Sequence, residues 1–207
     1  MSLLRFALLS LALPVALLST GVVYGDHPPF AAAILENSDN PVNRAFIAVI
    51  SRNDLGQLKA MLASGTDPNV TDGKRASPIH YAAFTGNTEA LRLLLDKGAR
   101  VNATVFGGWS PMHYAAFAGH VEVADALSNA GAKLDAVDAG GETPLFYAVE
   151  GRHIEMVRWL AEHGSNISHA NNQGETPLAI AEENKLAEIF DYLQKRGAKK
   201  QVVPAPR

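Results

Sequence analysis

The sequence repeats with a period of 33 residues, and this period constrains the fold more than any other feature. Two independent sets of residues follow it. The first consists of prolines, at Pro78, Pro111, Pro144 and Pro177. The second consists of glycines, at Gly65, Gly98, Gly131, Gly164 and Gly197. Because both sets keep the same spacing, the chain is predicted to be a repeat array in which each unit packs on its neighbours.

Each unit carries the signals of two short helices. A hydroxyl residue stands directly before each proline, at Ser77, Ser110, Thr143 and Thr176. Such a hydroxyl at the N-cap accepts a hydrogen bond from a free N–H of the first turn, and proline suits the first helical position. A turn near Gly86, Gly119 or Gly151 leads to a second helix. A glycine such as Gly131 ends that helix, because glycine tolerates the left-handed conformation.

The segment Ser110–Gly119, with the sequence SPMHYAAFAG, resembles the ankyrin repeat, and the resemblance covers about residues 41–200. It implies an all-α solenoid of about five helix-turn-helix units joined by β-hairpin-like turns. The units are expected at 41–70, 71–103, 104–136, 137–169 and 170–200. The first and last are more polar, as the caps of an array must be. The resemblance also implies a protein that binds other proteins without catalysis.

The N-terminal residues 1–25 have the pattern of a secretory signal peptide. Arg5 precedes an apolar run, and Val23-Tyr24-Gly25 forms a cleavage site before Asp26, with a second site after Gly21. The alternative is an uncleaved membrane anchor over residues 6–24, which is about long enough to cross a bilayer. Both interpretations place the repeats outside the cytoplasm. Residues 26–40 are expected to be a linker, and residues 201–207 a disordered tail.

Composition excludes several classes of function. The formal net charge of −3 gives no reason to expect nucleic-acid binding, which usually needs a strongly basic face. The chain has no cysteine, which excludes disulfides, thiolate metal sites and a cysteine nucleophile. Avoidance of thiols also suits an oxidising compartment. Together with the resemblance, this favours a bacterial periplasmic or secreted protein.

The histidines are interpreted as structural. His80 and His113 are one period apart, so they stack in successive units, and the resemblance implies that each bonds to backbone and to the capping hydroxyl. His163 and His169 lie near one turn and form the only candidate metal or small-molecule site. Two histidines without a third ligand make a weak site. We therefore expect no metal and no cofactor.

The sequence contains no catalytic arrangement that stands apart from the repeat. It has no Ser-His-Asp pattern, phosphate-binding loop or isolated carboxylate pair. The glutamates of the last two units are interpreted as a solvated acidic face: Glu142, Glu150, Glu155, Glu175, Glu182 and Glu183. We expect the protein not to be an enzyme.

The residues that depart from the repeat pattern suggest the binding surface. Ankyrin-like arrays contact partners through hairpin tips and the exposed side of the first helices. The predicted partner-binding residues on these elements are Lys74, Arg75, Phe84, Phe106, Trp109 and Phe117. Trp109 is expected to be exposed at a hairpin tip, next to two glycines, and to anchor a partner. The alternative is that Phe84, Phe106, Trp109 and Phe117 pack on one another and only shield the hairpins.

The sequence therefore predicts a monomeric protein-binding module that inhibits, protects or scaffolds another envelope protein. Two alternatives remain open at this point. One is a membrane-tethered scaffold anchored by residues 6–24. The other is an enzyme or small-molecule binder that uses the region of His163 and His169.

Overall fold

The computed structural model describes residues 39–200. Over this range the chain forms five consecutive helix pairs, whose bounds are α1 Pro41–Ser51, α2 Leu55–Ala63, α3 Pro78–Thr85, α4 Thr88–Asp96, α5 Pro111–Ala118, α6 Val121–Asn129, α7 Pro144–Glu150, α8 Ile154–Glu162, α9 Pro177–Glu183 and α10 Ala187–Lys195. No residue of this range is assigned to a β-strand. The predicted all-α solenoid of helix pairs is confirmed.

The helices stack in two layers. The first helices α1, α3, α5, α7 and α9 pack on one another in order, and the second helices do the same behind them. The first helices α3, α5, α7 and α9 each bury a tyrosine or isoleucine at one repeated position: Tyr81, Tyr114, Tyr147 and Ile180. The second helices bury leucines at another, including Leu94, Leu127, Leu160 and Leu193. The core is therefore continuous from one unit to the next.

The turn inside each pair requires a left-handed residue. Gly86 and Gly119 supply it with φ of 73° and 75°. In the next unit the sequence has Arg152 at the usual glycine position, directly after Gly151, which is right-handed with φ of −67°. Arg152 takes the left-handed position instead, with φ of 61°. A residue with a side chain there carries backbone strain that glycine avoids.

The predicted N-terminal caps are only partly correct. Thr176 caps α9, since its Oγ1 accepts the N–H of Ala179 at 3.3 Å. Thr143 stands at the same position of α7, but its buried hydroxyl has no hydrogen-bond partner in the described part of the chain. The prediction of a capping hydrogen bond at Thr143 was therefore wrong.

Histidines join adjacent units through backbone carbonyls, as the sequence suggested. In His80, Nε2 lies 3.0 Å from the Ala103 oxygen, and Nδ1 accepts the N–H of Ser77 at 3.1 Å. His113 repeats this arrangement one unit later, with Nε2 3.2 Å from the Glu142 oxygen. A carbonyl only accepts hydrogen bonds, so each ring is neutral with its proton on Nε2. Burial lowers the pKa of both rings to about 4.

A second pair of histidines joins the ends of the first helices. Nε2 of His120 donates to the Phe84 oxygen at 3.1 Å, and Nε2 of His153 donates to the Phe117 oxygen at 3.0 Å. The His153 ring also covers Gly119 so closely that an added Cβ would lie 2.6 Å from it. Glycine is therefore required at this turn for space as well as for its backbone angle.

The predicted signal peptide, most of the predicted linker and the predicted tail lie outside the described residues. From the linker, Asp39 accepts the N–H of Gly73 at 2.9 Å, and the Asn40 side chain caps α1. Among residues 39–200, no helix has the length and apolar character needed to cross a membrane.

Candidate functional site

The tips of the hairpins between units are bonded to one another in a row. The N–H of Phe106 donates to the Lys74 oxygen at 3.1 Å, and the N–H of Ala139 donates to the Gly107 oxygen at 2.8 Å. The next contact repeats the pattern, from Asn172 to Gly140 at 2.9 Å. These bonds place the tip side chains in the same order as the units along the chain.

Most hairpins are closed by a polar side chain. The Asp138 Oδ1 atom accepts the N–H groups of Gly140 and Glu142, each at 2.9 Å. Asp72 makes the equivalent bonds in the first hairpin, and Asn171 makes them in the last hairpin. These side-chain oxygens stabilise the turns, because they accept hydrogen bonds from backbone N–H groups that would otherwise bond to water.

The hairpin at Val105–Trp109 is closed differently. The side chain of Val105 cannot accept a hydrogen bond, and it is buried instead. The turn keeps only the two backbone bonds that the other hairpins also have, from the Val105 N–H to the Trp109 oxygen at 3.1 Å and from the Gly108 N–H to the Val105 oxygen at 3.0 Å. Gly107 and Gly108 both take positive φ, of 92° and 89°. The sequence had indicated that this hairpin is atypical, and the structure gives the physical form of the difference.

Trp109 is not the exposed anchor that the sequence suggested. Its side chain is only 5% exposed. Its ring centroid lies 4.1 Å from that of Tyr147, 5.3 Å from Tyr114 and 5.9 Å from Phe117. The prediction of an exposed Trp109 was therefore wrong, because the ring folds inward between two units and fills the core beneath the hairpin.

Phe106, in contrast, projects from its hairpin tip and is 61% exposed, the highest value among the large apolar side chains described. The Arg75 guanidinium lies 6.0 Å from the centre of its ring. Lys74 and Arg75 are exposed on the preceding tip. Arg75 holds a left-handed backbone, with φ of 67°, at the position where Gly108, Gly141 and Gly174 stand in the later hairpins.

Phe84 and Phe117 lie at the ends of α3 and α5 and are partly exposed. The rings of Phe84 and Tyr114 pack edge-on, with their centroids 6.3 Å apart, and Phe117 contacts the buried Trp109. We call Phe84, Phe106 and Phe117 the aromatic patch. Five of the six predicted binding residues thus have exposed or partly exposed side chains, and Trp109 supports them from below.

The following units carry a cluster of carboxylates at the corresponding place, which we call the acidic cluster: Asp138, Glu142, Glu150 and Glu175. The Tyr147 hydroxyl lies 2.5 Å from Asp138 Oδ2 and 2.9 Å from Glu142 Oε2. The Asn171 side-chain amide donates to Glu142 at 3.1 Å and to Glu175 at 3.0 Å. Burial and these acceptors raise the pKa of the Tyr147 hydroxyl.

Glu150 is the member of the acidic cluster at the end of α7. Burial and then the negative charges of Glu142, Asp138 and Glu175 raise its pKa to about 7. Among residues 39–200, none of the four carboxylates forms an ion pair with a lysine or arginine. The interpretation of these glutamates as a solvated face was wrong for Glu142, which is only 6% exposed.

Sequence reasoning did not single out Asp138, although the signal was present. Asp138 stands one period after Val105 and two periods after Asp72, at the position whose side chain closes the other polar hairpins. Its second carboxylate oxygen holds Tyr147, whose position is also repeated. The comparison of equivalent positions would have placed both residues at this site.

The remaining histidines do not form a site together. His163 Nδ1 lies 2.7 Å from the Trp159 oxygen, and its ring stacks on the Trp159 ring. His169 Nε2 lies 2.9 Å from the Gly141 oxygen, near the hairpin of the preceding unit. Over residues 39–200, no group of three histidine or carboxylate side chains is arranged to hold a metal ion.

Comparison with known proteins agrees with the fold. No curated protein sequence matches this chain. The sequence model of a family described as ankyrin repeats (3 copies) matches residues 45–138 and again residues 131–203. The two matches together cover most of the chain, from within α1 to beyond the end of α10. The chain therefore belongs to the ankyrin-repeat family, whose members serve as protein–protein interaction modules.

Proposed function

We propose that the chain is a non-catalytic module that binds another protein of the bacterial envelope through the aromatic patch and the hairpin tips beside it. The exposure of Phe106 is the observation that carries this proposal. A phenylalanine that is 61% exposed at a rigid tip contributes little to the fold. Phe84 and Phe117 add partly exposed rings at the ends of the first helices, and several exposed apolar groups on one part of a protein commonly mark an interaction site.

The surroundings of Phe106 support the same function. The tip is held by a backbone bond to Lys74, and Trp109 fills the space below it. The backbone that carries Phe106 is therefore held by the neighbouring tip before a partner binds, which reduces the ordering cost of binding. Lys74 and Arg75 form a charged rim, which favours association and specificity more than affinity.

Capture of partners from an envelope extract tests the proposal. The wild-type chain is compared with Phe106→Ser, which removes the exposed ring, and with Val42→Ser, a matched change of an exposed apolar residue on α1. We expect Phe106→Ser to lose the captured protein and Val42→Ser to retain it. Equal capture by all three chains would show that the binding face lies elsewhere.

The proposed location rests on residues 1–25 and has its own test. Mass spectrometry of the protein from cells is expected to show a chain that begins at Asp26, or else at Val22. A full-length chain that stays with the membrane would instead favour the tethered scaffold. In both cases the repeats would meet envelope proteins, where the module would inhibit, protect or position its partner.

A further inference from the structure

The chemistry of the candidate binding face changes abruptly halfway along the array. The ends of the first helices carry side chains at one repeated position, which reads Phe84, Phe117, Glu150 and Glu183 in successive units. The four residues are 33 apart and occupy the last or second-last position of α3, α5, α7 and α9. The face is thus aromatic over two units and acidic over the next two.

A second position, on the hairpins, changes at the same place. It reads Ala76, Trp109, Glu142 and Glu175 in successive units. Ala76 and Trp109 are buried apolar residues, whereas Glu142 and Glu175 share the side-chain amide of Asn171. Ala76, Trp109 and Glu142 are buried, so this second position changes the chemistry beneath the face, between the same two units as the change at the helix ends. The bonded row of hairpin tips keeps the two halves side by side.

The acidic half has more hydrogen-bond acceptors than donors. The Tyr147 hydroxyl has one proton but faces oxygens of both Asp138 and Glu142. Glu150 lies near these carboxylates and near Glu175, and no lysine or arginine among residues 39–200 pairs with any of them. A positively charged group brought by a partner would therefore meet carboxylates that have no cationic partner among residues 39–200.

We propose that this face binds a polypeptide segment of another protein that carries aromatic or aliphatic side chains at one end and lysine or arginine at the other. The apolar end lies on the aromatic patch, and the basic end lies on the acidic cluster. This inference rests on the proposed function and adds the chemistry of the partner. Apolar contact supplies affinity at the first half, and charge complementarity sets the direction of the segment.

Selection from a random peptide library displayed on phage tests the inference without knowledge of the natural partner. The bait is the full chain. Enriched peptides are synthesised with a fluorescent label and titrated against wild type, Phe106→Ser, the double variant Glu150→Gln/Glu183→Gln, and the control Glu122→Gln. Glu122 is an exposed glutamate on α6, away from the first-helix ends.

We expect the enriched peptides to combine apolar with basic residues. Phe106→Ser should lower the affinity for these peptides about tenfold, and the double glutamate variant should lower it about fivefold. Replacing the peptide's lysines or arginines by alanine should weaken binding to wild type more than binding to the double variant, because that variant has already lost part of the interacting negative charge. Glu122→Gln should bind as wild type does.

Two failures are distinguishable. Peptides that require Phe106 but carry no basic residues, or that ignore the glutamate changes, would overturn this inference and leave the proposed function intact. A selection that yields no peptide dependent on Phe106 would overturn both. Concentration-dependent dimerisation through Phe106, seen by sedimentation, would identify a second copy as the occupant and would also overturn the inference.

Discussion

The ring of Trp109 lies 4.1 Å, between centroids, from the ring of Tyr147 in the following unit. This contact joins the aromatic half of the array to the acidic half. Truncation of a buried aromatic residue leaves a cavity as well as losing apolar burial. We therefore predict that Trp109→Ala lowers the free energy of unfolding by about 3–5 kcal/mol.

Chemical denaturation with urea measures this loss, and Phe106→Ala serves as the control. Phe106 is exposed, so its truncation should change the free energy of unfolding by less than about 0.5 kcal/mol. If Trp109→Ala proved as stable as wild type, the inward position of the indole would be wrong, and Trp109 would again be a candidate for direct partner contact.

Two glycines with the same backbone conformation should differ in their tolerance of a side chain. Gly119 and Gly131 have φ of 75° and 86°, so alanine costs about 1 kcal/mol or more at either position. An added Cβ at Gly131 meets nothing within 4 Å, but at Gly119 it would overlap the His153 ring. Gly119→Ala is thus expected to be the more destabilising by about 1–3 kcal/mol.

Thermal melts of the two variants measure the difference, and the double variant Gly119→Ala/His153→Ala separates its causes. Removal of the ring should relieve the overlap, so the two changes together should cost less than the sum of the single changes. Strict additivity would show that the His153 ring is not what limits this turn.

The two threonine caps should respond in opposite ways to valine, which keeps the shape but removes the hydroxyl. Thr176→Val deletes the acceptor of the Ala179 N–H and should cost about 1 kcal/mol. Thr143→Val deletes a buried hydroxyl that has no partner among the described residues, so it should be neutral or stabilising. Differential scanning calorimetry compares the variants, and an equal loss in both would restore the capping bond at Thr143.

Stability should fall on acidification because of the buried histidines. Burial lowers the pKa of His80 and His113 from the ordinary 6.5 to about 4. Between these values the unfolded chain binds more protons than the folded chain, so the free energy of unfolding decreases as the pH falls from 6.5 towards 4. Each ring contributes up to about 3 kcal/mol over this range.

Urea denaturation at several pH values tests this effect. His113→Phe should lower stability at neutral pH but flatten the pH dependence, and the ring fits because Phe146 is buried at the equivalent position. Glu150 acts in the opposite direction, since its raised pKa of about 7 means that the fold takes up a proton below neutrality. The measurement is therefore made in the Glu150→Gln background. If neither His80→Phe nor His113→Phe changed the dependence of the free energy of unfolding on pH there, the buried histidines would not be its cause.

The sequence predicted the helix pairs well because their signals are local. Proline at the first helical position and glycine at the left-handed end act within one turn of the chain, and both recur at every unit. Gly131 is an example, with φ of 86° directly after Ala130, the C-cap residue of α6. The helix boundaries follow from such residues without knowledge of tertiary contacts.

The direction of individual side chains was harder to predict. Trp109 was read as exposed because glycines precede it, but its position is that of the buried Ala76 in the preceding hairpin. The void that the indole fills lies between two units, and its size depends on Tyr114 and Tyr147 together. Hydroxyl rotamers at Thr143 and Thr176 likewise depend on packing that residue type alone does not determine.

The row of bonds between hairpin tips has a consequence for how this protein could diversify. Because neighbouring tips are bonded to one another, the side chains on the tips follow each other along the array in the same order as the units in the sequence. Exchange of residues 104–136 with residues 137–169 would keep the stacking period while rearranging the sequence of aromatic and acidic positions. Recombination between units of equal length could thus generate new partner preferences without inventing a new fold.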